Sequence, residues 1–212
     1  MALDLFGNSG LNNAANDAAP RTSLNLKKGM SLDLAKHANL KRVRVGLGWQ
    51  AGDGRDNYDL DASALLLNSR GLVTDNQDVI FYNQQNTGRG VRSMGDNKTG
   101  SYSNVGDTDD ETIMVDINQV PQVIDKIKFI VTIHDAVRRK QNFGAVRQAY
   151  IRIVDEDTGE ELGRYQLTED FDMQTACEIA ELNRTPYGWE FTAIGKGTTE
   201  DLESILIRHG VN

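Results

Sequence analysis

Cysteine, histidine and proline are scarce in this sequence of 212 residues. It contains one cysteine, Cys177, together with three histidines and three prolines. A single cysteine excludes an intramolecular disulfide framework, and so few cysteines and histidines provide no cluster for zinc. We expect Cys177 to be a small core residue, because no catalytic Cys-His signature accompanies it.

Long apolar runs are also absent. No stretch of about 18 apolar residues occurs, so the sequence predicts no membrane span. The N-terminus lacks both the basic region and the apolar region of a secretory signal. From these absences we predict a cytoplasmic protein.

Positive charge is scarcer than negative charge. The chain carries 23 lysines and arginines against 31 aspartates and glutamates, which gives a net charge of -8. An acidic protein repels phosphate backbones at long range, so we expect no nucleic-acid partner and regard cations as more natural ligands. The 39% of hydrophobic and 25% of charged residues are typical of an ordinary folded protein.

Apolar residues recur mostly at every second position after residue 23, which is the period of strands with one buried face. Examples are residues 43–49, 113–117, 127–133, 151–153 and 189–191. Turn residues separate these segments. The pattern predicts an all-β protein, built as a sandwich or a barrel.

Three segments depart from this alternation. Residues 1–22 are rich in Asn, Ala, Ser and Gly, and we predict a flexible leader before one domain of residues 23–212. Residues 202–209 have apolar residues at helical spacing, which predicts a short helix near the C-terminus. Residues 174–184 are compatible with either a helix or a strand.

Two acidic stretches are the candidates for a functional site. The first covers residues 53–61, and the second covers residues 95–111 and includes four acidic residues among the five from 107 to 111. Crowded carboxylates repel one another unless a cation offsets their charge. Ca²⁺ accepts about six to eight oxygen ligands, so the composition favours a calcium site. Mg²⁺ and simple solvated turns are the alternatives.

Asp59 and Asp61 are the central pair of the first stretch. On a strand, side chains two positions apart point to the same face, about 7 Å from each other. The pair can therefore bind one ion or bridge two, with Asn83 and Asn97 as neutral oxygen donors. Neither stretch has the spacing of an EF-hand loop, so any site is assembled from loops distant in sequence.

An enzyme is the competing interpretation. The sequence has no Gly-x-Ser-x-Gly elbow, no Walker loop and no dinucleotide fingerprint, so we predict a non-enzymatic protein. His134 beside Asp135 suggests a base–acid pair without a nucleophile, and His209 is expected at the surface. The alternative is a metal-dependent hydrolase or phosphoryl-transfer enzyme that uses the acidic loops, with Arg89 and Arg92 as a cationic clamp.

An interaction module is the third interpretation, and it is compatible with calcium binding. The basic residues 138–140 could meet a membrane or an acidic partner once calcium has ordered the loops. The same triplet is also typical of a solvated loop.

Short motifs along the chain resemble the bacterial TerD family, in the family's order, from residue 23 to about residue 200. They include residues 45–49 (VGLGW), 59–63 (DLDAS), 79–84 (VIFYNQ), 95–100 (GDNKTG), 109–111 (DDE), 129–133 (FIVTI), 141–144 (QNFG) and 189–191 (WEF). Each motif alone is weak, but the ordered series is specific.

The resemblance implies a two-sheet β-sandwich with a few short helices, which binds two calcium ions through its acidic loops. It also implies a role in resistance to tellurite and other stresses, beside other proteins of the tellurium-resistance system at the inner face of the membrane. The residues that match the calcium motifs are Asp59, Asp61, Asp96, Asn97, Thr99, Gly100, Asp109, Asp110 and Glu111.

The chain departs from the family pattern at three places. Gln50 stands where the family usually has aspartate, residues 101–107 are longer and poorer in glycine, and residues 1–22 are extra. From the first two departures we expect the loss of one ligand and a weaker binding of calcium at one of the two implied sites.

Overall fold

Strands are the main secondary structure of the described chain. The structure is a computed structural model, and it describes residues 23–37, 39–51, 58–95, 109–167, 171 and 173–211. Its strands are β1 (Leu24–Leu26), β2 (Ser31–Asp33), β3 (Arg42–Ala51), β4 (Leu60–Leu67), β5 (Val79–Ile80), β6 (Val91–Ser93), β7 (Glu111–Asp116), β8 (Lys126–Ile133), β9 (Val146–Asp155), β10 (Glu161–Gln166), β11 (Ala176–Thr185) and β12 (Gly188–Thr198). The predicted leader, residues 1–22, lies outside the described residues.

The strands pair into two six-stranded sheets. Sheet A has the order β1-β10-β9-β3-β7-β6, and sheet B has the order β2-β12-β11-β8-β4-β5. Neighbouring strands are antiparallel except β1 and β10, which are parallel. The short helices α1 (Ala136–Arg139) and α2 (Leu202–Arg208) accompany the sheets. The prediction of an all-β, two-sheet fold with a short C-terminal helix is confirmed.

The core lies between the two sheets and follows the alternation in the sequence. In β3, Val43, Val45, Leu47 and Trp49 are buried in the main apolar cluster. The intervening residues of β3 point to the outer face of sheet A, as strand geometry requires. None of the helices in the described ranges is long and apolar enough to cross a membrane.

Residues 174–184, which the sequence leaves between helix and strand, lie mostly in β11. This strand pairs with β8 on one side and β12 on the other, so tertiary pairing outweighs the helix propensity of its Ala, Glu and Leu. Cys177 is buried in the core, as predicted. Glu178 and Glu181 point to the outer face of sheet B, where they lie beside Lys128.

The helix α2 covers part of that outer face. Its N-terminus is capped by Asp201, which accepts the backbone N–H of Ser204 at 2.8 Å. Ile205 is buried in a second apolar cluster that includes Leu65, Leu67 and Ile130. The expectation that His209 lies at the surface is wrong. Its ring is buried, with Nδ1 2.8 Å from the carbonyl oxygen of Gly71, and burial lowers the pKa of His209.

A charged network on the outer face of sheet A makes stability depend on pH. Burial raises the pKa of Glu161, but hydrogen bonds donated by Arg164, Ser23 and Arg152 outweigh burial and lower it to about 2. The stabilisation is therefore complete above the ordinary glutamate pKa of 4.5 and is lost as the pH falls towards about 2.

The variant Glu161→Gln should show a weaker loss of stability between those two pH values than the wild type. Thermal unfolding followed from pH 6 down to pH 2 measures the difference, with about 0.5 pH unit between points to resolve the slope set by proton uptake. Glu160→Gln removes the same charge at the neighbouring position and serves as the control. A wild-type slope in Glu161→Gln would contradict the assignment.

Candidate metal site at one end of the sandwich

The topology gathers the described residues of the acidic stretches, mainly 59–61 and 109–111, at one end of the molecule. Strand register places Leu47 of β3 opposite Glu111 of β7, and Leu60 of β4 opposite Ile133 of β8. The end of β3 lies opposite the start of β9 at Val146, which is separated from the helix α1 (Ala136–Arg139) by six residues. The starts of β4 and β7 therefore lie beside the end of β8 and the helix α1. We call this region the loop end.

Asp59 and Asp61 lie on the sheet B side of the loop end. Asp61 points to the outer face of sheet B and is buried, with one carboxylate oxygen 3.5 Å from Nδ1 of His134. Asp59 has a side chain that is 20% exposed, and its Oδ2 lies 4.0 Å from the guanidinium of Arg139. Its other oxygen, Oδ1, is buried and has no hydrogen-bond partner among the described residues. Both carboxylates of the predicted pair therefore lie beside the segment from His134 to Arg139.

Asn83 borders the same region from the connection between β5 and β6. The ring of its neighbour Tyr82 packs edge-on against His134, with the ring centroids 6.2 Å apart. The side chain of Asn83 is exposed. The structure therefore brings this segment near Asp61 through His134, but it shows no direct contact between Asn83 and the acidic pair.

Asp109 lies elsewhere, over the outer face of sheet A. Its carboxylate receives hydrogen bonds from Arg44 at 2.9 Å, from Arg152 at 2.7 Å and from the hydroxyl of Tyr150 at 3.3 Å. The side chain is only 2% exposed. Burial lowers the pKa of Arg152, but the contacts with Asp109 and Glu161 outweigh burial and the pKa is raised. Two guanidinium groups thus already offset the charge of Asp109.

The absence of a side chain at Gly46 makes this arrangement possible. A Cβ atom at Gly46 would overlap the carboxylate of Asp109, and a Cβ atom at Gly48 would overlap the ring of Tyr150. The Gly-x-Gly pattern of β3 therefore leaves a shallow groove that Asp109 and Tyr150 fill. Both glycines belong to the motif VGLGW, but local sequence patterns do not show that they accommodate a carboxylate and a ring.

Asp110 and Glu111 follow Asp109 into β7. Asp110 accepts the backbone N–H of Trp49 at 3.0 Å and donates its own N–H to the carbonyl of Leu47 at 2.8 Å. Glu111 is buried and lies opposite Leu47, so it shares the inward side of sheet A. The three consecutive acids therefore have different contacts among the described residues.

The remaining predicted ligands lie outside the described residues. These are Asp96, Asn97, Thr99 and Gly100. In the part of the chain that is described, no three His, Cys, Asp or Glu side chains form a group able to hold a metal ion. The oxygen chemistry nevertheless fits a hard cation, because Asp59 presents a buried carboxylate oxygen to which no described residue donates a hydrogen bond.

One of the two arginines of the clamp in the enzyme interpretation, Arg89, pairs with aspartates outside the acidic pair. The guanidinium of Arg89 lies 2.9 Å from Asp75 and 3.0 Å from Asp78, the latter being fully buried. These contacts tie Arg89 to the turn before β5. No contact of the described residues favours phosphoryl transfer at the loop end.

Comparisons with known proteins agree with the motifs and with the fold. The family model described as TerD domain matches residues 22–209. Tellurium resistance protein TerD of Serratia marcescens is 46% identical over 194 residues, which cover 90% of this chain and 98% of that protein. General stress protein 16U of Bacillus subtilis (strain 168) is 46% identical over 193 residues, covering 89% of this chain and 98% of that protein.

The fold also has a solved counterpart. The crystal structure of a homologue of telluride resistance protein (TerD) from Streptomyces coelicolor A3(2) superposes with a TM-score of 0.61 at 21% identity. The match covers 79% of this chain and 96% of that chain, and it supports the two-sheet architecture. Together with the family model and the close relatives, it leads to one conclusion: this chain belongs to the TerD family.

Proposed function

We propose that this chain is a calcium-binding stress-response protein, associated with tellurite resistance, that acts without catalysis as a calcium-dependent interaction module. Relatives at 46% identity carry the names tellurium resistance protein and general stress protein, which supports the biological role. The partners in this proposal are other proteins of the tellurium-resistance system at the inner face of the membrane, and the location is cytoplasmic.

Calcium binding is supported mainly by Asp59, whose buried Oδ1 receives no hydrogen bond from the described residues. A buried carboxylate oxygen without a donor is unfavourable, and a bound cation would remove that penalty. Asp61 places a second carboxylate beside it. A Ca²⁺ ion supplies double positive charge and about six to eight coordination positions, so it can link segments that are distant in sequence.

In this proposal the calcium ligands come from two sides of the loop end. Asp59 and Asp61 would hold calcium on the side of sheet B, and Asp110 and Glu111 are the candidate ligands on the side of sheet A. The further ligands are Asn83, Asp96, Asn97, Thr99 and Gly100, and the expected stoichiometry is two ions. Ion binding would order the loop end and so form a surface for a partner protein.

Calorimetric titration of metal-stripped protein with calcium tests the proposal. The double variant Asp59→Asn, Asp61→Asn should lose at least about 100-fold in affinity at one site, since two charged ligands are removed. The matched control is Asp155→Asn, Asp157→Asn, which removes two charges at the same spacing from a turn at the opposite end of the sandwich. Absence of binding to the wild type at millimolar calcium would refute calcium binding.

A further inference from the structure

A positively charged side chain already faces the proposed calcium ligand. The guanidinium of Arg139 lies 4.0 Å from Oδ2 of Asp59 and donates a hydrogen bond to the backbone carbonyl of His134 at 3.4 Å. That carbonyl belongs to the residue whose ring faces Asp61 and whose N–H binds the carbonyl of Asp59 at 2.8 Å. Arg139 is therefore held at the acidic pair by the local backbone.

The helix α1 aims Arg139 in this direction. The single helical turn is bounded by two residues in the left-handed conformation, Asp135 at φ 54 and Lys140 at φ 52. The N–H of Gln141 bonds to the carbonyl of Ala136 at 2.9 Å and closes the turn. Because both ends of this short turn are fixed, its side chains leave the backbone in well-defined directions.

The adjacent arginine has a different environment. The side chain of Arg138 is 78% exposed and pairs with Asp135, whereas the side chain of Arg139 is 29% exposed and faces Asp59. Two consecutive residues of the same type therefore differ in their relation to the acidic pair. This difference provides a matched internal control.

We propose that Arg139 is a tethered competitor of calcium, which occupies the charge environment of Asp59 in the metal-free protein and so limits calcium affinity. This inference rests on the proposed calcium-binding function. Arg139 offsets one negative charge at a site where Ca²⁺ must also bind, and like charges a few ångströms apart repel each other. Calcium therefore binds only by overcoming that repulsion or by moving the guanidinium away.

Removal of Arg139 should lower the melting temperature of the metal-free protein but raise its affinity for calcium. In the metal-free protein, Arg139→Gln leaves the Asp59 carboxylate without its cation, so the melting temperature should fall. Calcium should then bind more tightly, because the repelling charge is gone. A residue that only supports the fold would behave differently, since its loss would weaken both the fold and the site.

Calcium titration and thermal unfolding of Arg139→Gln test the inference. We expect about tenfold tighter calcium binding, a lower melting temperature without calcium and a larger rise in melting temperature when calcium is added. Arg138→Gln removes the same charge from the neighbouring position and should change calcium affinity by less than about threefold, since its charge is exposed and screened. Arg139→Lys keeps the charge and should stay close to the wild type.

The outcomes separate this inference from the proposed function. If the wild type binds calcium and Arg139→Gln binds it equally or more weakly, the competitor role is wrong and the proposed function stands. If Arg138→Gln tightens binding as much as Arg139→Gln, only overall charge matters and the role is again wrong. If the wild type and all variants fail to bind millimolar calcium, both the function and the inference are overturned.

Discussion

Replacing Gly46 by alanine should destabilise the protein by about 3–5 kcal/mol, because the new methyl group would overlap the carboxylate of Asp109. That carboxylate cannot move aside at low cost. It is almost completely buried and is held by Arg44 and Arg152 on either side. Chemical denaturation of Gly46→Ala and of the wild type at neutral pH measures the loss.

A double-mutant cycle identifies the cause. In an Asp109→Ala background the clash disappears, so Gly46→Ala should cost about 2 kcal/mol less than it does in the wild type. The single variant Asp109→Ala is itself expected to destabilise, since it leaves two partly buried guanidinium groups without their shared partner. Simple additivity of the two substitutions would show that Gly46 matters for another reason.

The same contacts connect the fold to the candidate site. Asp109 anchors the segment before β7 to the outer face of sheet A, and Asp110 binds the backbone of β3 at Trp49. Glu111 then enters the strand on its inward side. The acidic run is thus partly explained by structural pairing, because at least one of its charges is offset by arginines from β3 and β9.

The strands themselves were predictable because burial imposes a period of two on the sequence. Residues 43–49 and 127–133 show this period and form β3 and β8. The period of two did not distinguish a strand from a helix in residues 174–184. There the outer face of β11 carries Glu178 and Glu181, which look solvent-exposed in the sequence but are buried against Lys128. Only the neighbouring strand reveals why these charges are tolerated.

The candidate site was predictable only in part. The spacing of Asp59 and Asp61 places both carboxylates on the same side of the loop end, and this follows from strand geometry. The contacts of Asp109 with Arg44 and Arg152 join residues 65 and 43 positions apart. Such long-range pairings depend on strand order, which local sequence patterns do not specify. The burial of His209 under the turn at Gly71 was missed for the same reason.

We expect a second large loss of stability when the buried Lys128 is replaced. Its ammonium group lies 2.6 Å from Glu178 and 3.5 Å from Glu181 on the outer face of sheet B. The side chain of Glu178 is only 4% exposed, so loss of Lys128 removes its nearest partner and leaves Arg208, at 2.7 Å, and Lys196, at 3.5 Å, to offset a buried charge. Lys128→Met should therefore destabilise the protein by about 3 kcal/mol at neutral pH.

The neighbouring cation provides the control. Lys126 pairs with Glu181 from a side chain that is 34% exposed, and Lys126→Met should cost about 1 kcal/mol or less. Both variants remove one positive charge from β8 and replace lysine by a side chain of similar length. Equal losses in the two variants would mean that burial of the Glu178 pair does not determine the effect.

The pH dependence of the loss tests its electrostatic origin. Burial raises the pKa of Glu178, but the hydrogen bonds from Lys128 and Arg208 outweigh burial and lower it to about 2. The wild type therefore gains from this charge above pH 4.5 and loses that gain as the pH falls towards about 2. In Lys128→Met the pKa of Glu178 should rise, so the two stability curves should converge in acid. A destabilisation that stayed constant down to pH 2 would instead assign the loss to packing of the lysine side chain against β11.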